Sequence, residues 1–115
     1  MALKFNPSIG AIVGCDFAGL KVPEMTKRRP VIIISPRLRD RSNLCTIVPL
    51  STTAPSNVMP YHYKLCLNPP LPAPYNNSIC WVKGDMIYTL SMDRMHALSH
   101  AKDENGKRVY DYRII

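Results

Sequence analysis

Two short polar stretches in this 115-residue chain carry residue types able to handle a phosphate group. Glu24, Lys27, Arg28 and Arg29 precede the β-branched run Val31–Ile34, and Ser51, Thr52 and Thr53 follow the apolar segment Leu44–Leu50. A guanidinium presents a planar fork of donors to two oxygens, and hydroxyls add neutral donors beside it. The same Ser-Thr-Thr cluster is equally able to end a strand through local hydrogen bonds. Register decides whether the two stretches meet. If strands over 30–35 and 44–50 pair through the 36–43 turn, Arg29 and Ser51 fall at one end of the pair and form one small patch.

Other chemistries lack their residues. The histidines, His62, His96 and His100, share no metal-binding spacing with the carboxylates; His96 and His100, four apart, would share a helix face, but no third ligand accompanies them. The cysteines (Cys15, Cys45, Cys66, Cys80) are dispersed without a CxxC pair and read as small buried residues. Neither a glycine-rich phosphate loop nor a GxSxG nucleophile elbow occurs. No metal and no cofactor are expected.

The elements that must hold the polar patch are strands. Ile9–Phe17 is rich in β-formers. "AGLKVPEMTKRR" follows as a polar loop, and "PVIIIS" is a strand whose proline sits at its start, where one missing donor costs little. Leu44–Leu50 and Tyr61–Leu67 are further strands, the second with alternating character. "NPPLPAPYNN" reads as an exposed, stiff loop. "SICWVKGDMIYTLS" holds a strand interrupted near Gly84, and "DENGK" predicts a final hairpin between "MHALSHA" and "RVYDYRII". Only Ser91–Leu98 is able to carry two helical turns. The pattern predicts a mostly β fold, a small antiparallel barrel with long loops, in a single domain over residues 1–115.

Charge then narrows the partner. The net charge is +7, and seven of the fifteen cations lie between Lys21 and Arg41, including Arg37, Arg39 and Arg41. A basic cluster of this kind suits nucleic acid or an acidic protein. Hydrophobic content of 46% places the chain among globular rather than disordered proteins. The apolar run at Val31–Ile34 ends after four residues, far short of the roughly 18 a spanning helix needs. Residues 1–10 lack the apolar run of a signal peptide, so a cytoplasmic protein is expected.

The ordered set "GAIVGCDF", "PEMTKRRPVIIIS", "LCTIVPLSTT" and "WVKGDMIYTLSMDRM" resembles the PemK/MazF family of toxins from type II toxin–antitoxin systems, over Gly10 to about Met95. The resemblance implies a small SH3-like barrel that forms a homodimer. It implies a metal-independent endoribonuclease acting on single-stranded RNA and restrained by an acidic antitoxin. Residue by residue, Arg29 before Pro30 corresponds to the family's catalytic arginine. Ser51 corresponds to its threonine at the end of the third strand, with Thr52 next to it if the register slips by one. Glu24 corresponds to the acidic loop residue and Asp85 to the late aspartate. Lys27, Arg28, Arg37 and Asp85 are the candidate RNA contacts. Three departures stand out: serine replaces the threonine at Ser51, Met86 stands where a glutamine is usual, and the chain stops at Ile115, near where a C-terminal helix is expected. Two other readings of the same barrel stay open: a CcdB-like toxin that inhibits DNA gyrase without cutting anything, and a passive RNA-binding module of SH3-like type.

Overall fold

The computed structural model describes residues 7–35, 40, 43–102, 104–111 and 113–115. Among the described residues nine strands follow one another: β1 (Ile12–Cys15), β2 (Arg29–Ile33), β3 (Leu44–Ser51), β4 (His62–Cys66), β5 (Ile79–Lys83), β6 (Tyr88–Ser91), β7 (Met95–His96), β8 (Leu98–Lys102) and β9 (Arg108–Asp111). Every pairing is antiparallel. Seven strands form one sheet in the order β4-β5-β3-β2-β1-β7, and β6 joins on β3; β8 and β9 make a separate hairpin. The fold is mostly β and antiparallel, as the sequence predicts.

Strand β3 is the hinge of this arrangement. It lies against β2 on one edge, while its other edge is shared: Leu44–Ile47 pair with β6, and Leu50 and Ser51 pair with β5. Chain direction on β5 thereby carries Trp81 opposite Ser51.

Both faces of β1–β3 are covered, which explains why Val31–Ile33 carries no polar break. Alternate side chains point to opposite faces. Val13, Cys15, Val31, Ile33, Cys45 and Ile47 pack to one side with Phe17 and Met95. Ile12, Ile32, Val48 and Leu50 pack to the other with Leu67, Leu71, Cys80 and Leu98. A strand buried on both sides loses the apolar–polar alternation that a half-solvated strand keeps.

Four expectations need correction. The first strand is shorter than Ile9–Phe17, because Gly10 takes φ +88 at one end and the Asp16 carboxylate accepts Ala18 N–H in a turn at the other. Ser91–Leu98 holds no helical pair of turns. A single 3₁₀ turn at Met92–Arg94 is capped by Ser91 Oγ, and the chain then extends so that Met95 is fully buried opposite Cys15. The proline-rich loop is not exposed throughout: Leu71 is 1% exposed and Pro72 is buried with it. Cys66 faces solvent, whereas Cys15, Cys45 and Cys80 are buried. The closing hairpin forms where "DENGK" predicts it, with Gly106 at φ +77.

His96 and His100 lie on β7 and β8 rather than on one helix face. Among the described residues no three His, Cys, Asp or Glu side chains converge, and no helix is long and apolar enough to cross a membrane.

Candidate active site

The β2–β3 ladder sets the geometry of the patch. Val31 faces Pro49, and Ile32 and Ile33 follow in step against Val48 and Ile47. Continuing that register by two residues sets Arg29 across from Ser51, on one face by strand alternation. Arg29 also faces Cys15 on β1, so the arginine starts a strand flanked on both edges. Position, not sequence distance, joins the two polar stretches.

The arginine is half-buried, and its Nε is shielded from solvent without a hydrogen-bond partner. A buried donor left unpaired costs about 1–3 kcal/mol, which makes this atom a feature in need of a use. Arg28 turns outward and meets Asp16 at 3.6 Å in a solvent-exposed ion pair, with the Arg28 side chain 67% exposed. Such a pair contributes little and leaves the cation available.

At the other side of the patch, Ser51 is buried, and its hydroxyl is engaged locally. Oγ accepts the Thr53 N–H at 3.1 Å and lies 3.3 Å from the Thr53 carbonyl, to which it donates. Thr52 is half-buried; its carbonyl accepts Asn77 Nδ2 at 3.3 Å, and its hydroxyl has no hydrogen-bond partner among the described residues. Of the two candidate hydroxyls, Thr52 is therefore the one free to turn toward a ligand.

The remaining candidates are not brought together with Arg29. Glu24 is exposed; its carboxylate accepts Lys21 N–H at 2.7 Å and its own N–H returns to the Lys21 carbonyl, closing a turn. It makes no ion pair with Arg29. Lys27 is exposed on the same loop. Asp85 is exposed in the turn after β5, past the Leu50–Val82 step and so away from Ser51. Arg37, with Arg39 and Arg41, lies outside the described residues. Met86 donates its N–H to the Lys83 carbonyl in the turn that carries Asp85.

Three residues join the patch that sequence reasoning did not find. Tyr75 donates its hydroxyl to the Arg28 carbonyl at 3.0 Å; burial pushes its phenol pKa up, and the charges of Arg29 and then Arg28 pull it back. Asn77 reaches the Thr52 carbonyl from the same loop. His96 stands over Gly14, whose Cα faces both His96 and Pro30; a Cβ at that glycine would occupy the space of the imidazole. Burial, then the Arg28 charge, lowers the His96 pKa, and Asp16 opposes the shift. The balance favours the neutral imidazole over the cation. No sequence signal marks Tyr75 or His96, since each reaches the patch from a distant segment. Asn77 sits in a loop whose composition suggests only a spacer.

The sequence signature of the family described as "PemK-like, MazF-like toxin of type II toxin-antitoxin system" matches residues 8–111. The chain belongs to this family. It is also 27% identical over 115 aligned residues to the uncharacterized protein YifN of Escherichia coli (strain K12), with 84% of this chain and 76% of the relative covered. As a PemK-like toxin of the type II class, it has an antitoxin as its implied partner. In this toxin a half-buried cation at a strand start lies across the register from the hydroxyl-bearing end of the neighbouring strand, with an exposed second arginine next to it in sequence. Such a set can bind a phosphodiester, stabilise extra negative charge on it and hold the flanking backbone.

Proposed function

We propose that this PemK-like toxin is a metal-independent endoribonuclease that cuts single-stranded RNA, works as a homodimer in the cytoplasm and is neutralised by an acidic antitoxin. The observation that carries the reading is Arg29: a half-buried guanidinium with a shielded, unpartnered Nε, across the register from the Ser51–Thr53 hydroxyls. In the reaction the ribose 2′-oxygen attacks phosphorus, the bond to the 5′-oxygen breaks, and the 2′-proton is lost while the leaving oxygen gains one. The products are a 2′,3′-cyclic phosphate and a 5′-hydroxyl. Arg29 stabilises the charge that builds on the pentacoordinate phosphate; with a pKa above about 12, it is not the proton carrier. Thr52 donates to a non-bridging oxygen, with Ser51 the alternative if its bond to Thr53 opens. Glu24, the proton acceptor that the resemblance suggests, is exposed and held to the Lys21 N–H away from Arg29, so the proton-transfer step is left to groups other than Glu24 in this reading. Arg28, Lys27, Arg37 and Asp85 are assigned to the RNA flanking the cut.

The test is cleavage of a mixed RNA pool by the purified chain, with the cut ends sequenced. Cleavage is expected to persist in EDTA and to stop when the ribose 5′ of the cut is replaced by deoxyribose, with binding retained. Arg29→Ala is expected to lower the rate by about 10²–10³, and Arg29→Lys not to restore it fully, because a point charge lacks the two-donor fork. Activity that requires Mg²⁺, or equal cutting of single-stranded DNA, overturns the mechanism; folded wild-type protein that cuts no RNA but inhibits gyrase moves the toxin to the other class.

A further inference from the structure

The loop between β4 and β5 touches both halves of the candidate site. Tyr75 donates to the carbonyl of Arg28, immediately before the arginine at the start of β2. Two residues later, Asn77 donates to the carbonyl of Thr52, just beyond the end of β3. One short segment thus spans the gap between the strand start that carries the cation and the strand end that carries the hydroxyls. Neither contact uses a side chain of the reacting set; both hold backbone.

The segment is itself seated firmly. Leu71 and Pro72 are buried, Leu71 in the core layer that also holds Val48 and Leu50 of β3. Arg113, from the C-terminal segment, donates to the carbonyls of Pro69 and Pro70, and its guanidinium is paired at 3.0 Å with Asp111. The Asp111 and Arg113 side chains are 11% and 18% exposed, so this anchor is largely removed from water. Leu67 N–H closes the loop on the Ser78 carbonyl. A stiff, doubly anchored loop that ends in two donors is built to fix distance rather than to move.

We propose that this loop is a brace for the active site and that Tyr75 is a positioning residue for Arg29, holding the β2 start so that the guanidinium meets the scissile phosphate in one orientation. The inference rests on the cleavage reading for its functional consequence, but not for its structural one. Removing the hydroxyl leaves the Arg28 carbonyl without this partner and frees the peptide that leads into Arg29, the residue that must be placed to within a fraction of an ångström. Tyr75 acts through Arg29, so its effect belongs to turnover and not to substrate affinity.

Two measurements test this. In the first, initial rates on the mixed RNA pool are taken across concentrations. Tyr75→Phe is expected to lower kcat by about tenfold with KM within about twofold, while Tm falls by only a few degrees. In an Arg29→Lys background the same substitution is expected to cost less than about twofold, because the group it positions is already gone. Thr46→Val, which removes the Thr46–Thr89 hydroxyl contact at the far end of β3, is the control for loss of one hydrogen bond and leaves kcat unchanged. Wild-type kcat in Tyr75→Phe, or an equal loss in both backgrounds, overturns the proposal. In the second, the Arg29 Nε–H signal is followed by ¹⁵N NMR in the protein alone. Its exchange with water is expected to quicken by about tenfold or more in Tyr75→Phe. An unchanged exchange rate overturns the brace even if RNA is cut, and a wild-type chain that cuts no RNA removes the functional reading while this measurement still decides the brace.

Discussion

Ser51 and Thr52 are adjacent, similar in chemistry and different in what surrounds them. The Ser51 hydroxyl already serves Thr53, whereas that of Thr52 has no partner among the described residues. Thr52→Val should therefore reduce RNA cleavage with little change in stability, and Ser51→Ala should lower stability by about 1 kcal/mol with a smaller effect on rate. Paired melting curves and cleavage rates separate the two. A larger rate loss from Ser51→Ala would show that the turn at 51–53 opens when RNA binds. His96 makes a second prediction at this scale. Its pKa in the folded chain lies below the ordinary 6.5 because burial and Arg28 disfavour the cation, with Asp16 opposing. The unfolded chain then binds the proton more readily, so stability is complete above the unfolded pKa and declines as pH falls through it toward the folded value. Tm should drop as pH falls through the ordinary histidine range near 6.5, and the drop should be shallower in His96→Gln. A slope identical in both proteins would remove His96 from the explanation.

Strands were more legible than loops, for a physical reason. Period and β-branching report burial along one segment, so β2, β3, β4 and the interruption before β6 appear in the sequence close to where they lie. The meeting of Arg29 with the Ser51 region was legible too, because a hairpin between consecutive strands leaves few registers. What stayed hidden depends on contacts between distant segments. The run Ser91–Leu98 has helical length, but Met95 gains complete burial by extending beside β1. "NPPLPAPYNN" has the composition of a solvated spacer, and its prolines say nothing about the single leucine between them. That leucine fills the second core layer. Leu71→Ala should consequently cost about 2–5 kcal/mol, as for an interior leucine, where a surface position would change stability by no more than about 0.5 kcal/mol. Chemical denaturation gives the answer directly. A small loss would mean that the loop lies loosely on the sheet and is unable to brace anything.

Over the whole molecule, charge is the property that both proposed partners would read. One chain carries +7, and a homodimer twice that, +14. A basic surface of that size attracts RNA and an acidic, disordered antitoxin tail alike, so the two should compete, and expression of the toxin without its partner should arrest growth. The contribution of single cations can be separated from this background field. Among the described residues the Arg28 side chain is held by an exposed pair with Asp16, so RNA phosphate can take over the guanidinium at little expense. Each phosphate contact on a single strand adds about −0.7 to the slope of log affinity against log salt. Arg28→Ala should thus weaken RNA binding at low salt and reduce the steepness of that slope by about 0.7, while melting temperature and the position of the cut stay the same. Arg29→Ala should behave differently, losing cleavage far more than affinity, because the proposed mechanism places its work in the transition state. Binding titrations over a series of salt concentrations, run beside cleavage rates for both variants, make the comparison. If Arg28→Ala loses cleavage and Arg29→Ala loses only salt-dependent affinity, the site is built on the outward arginine, and the buried Nε of Arg29 needs another explanation.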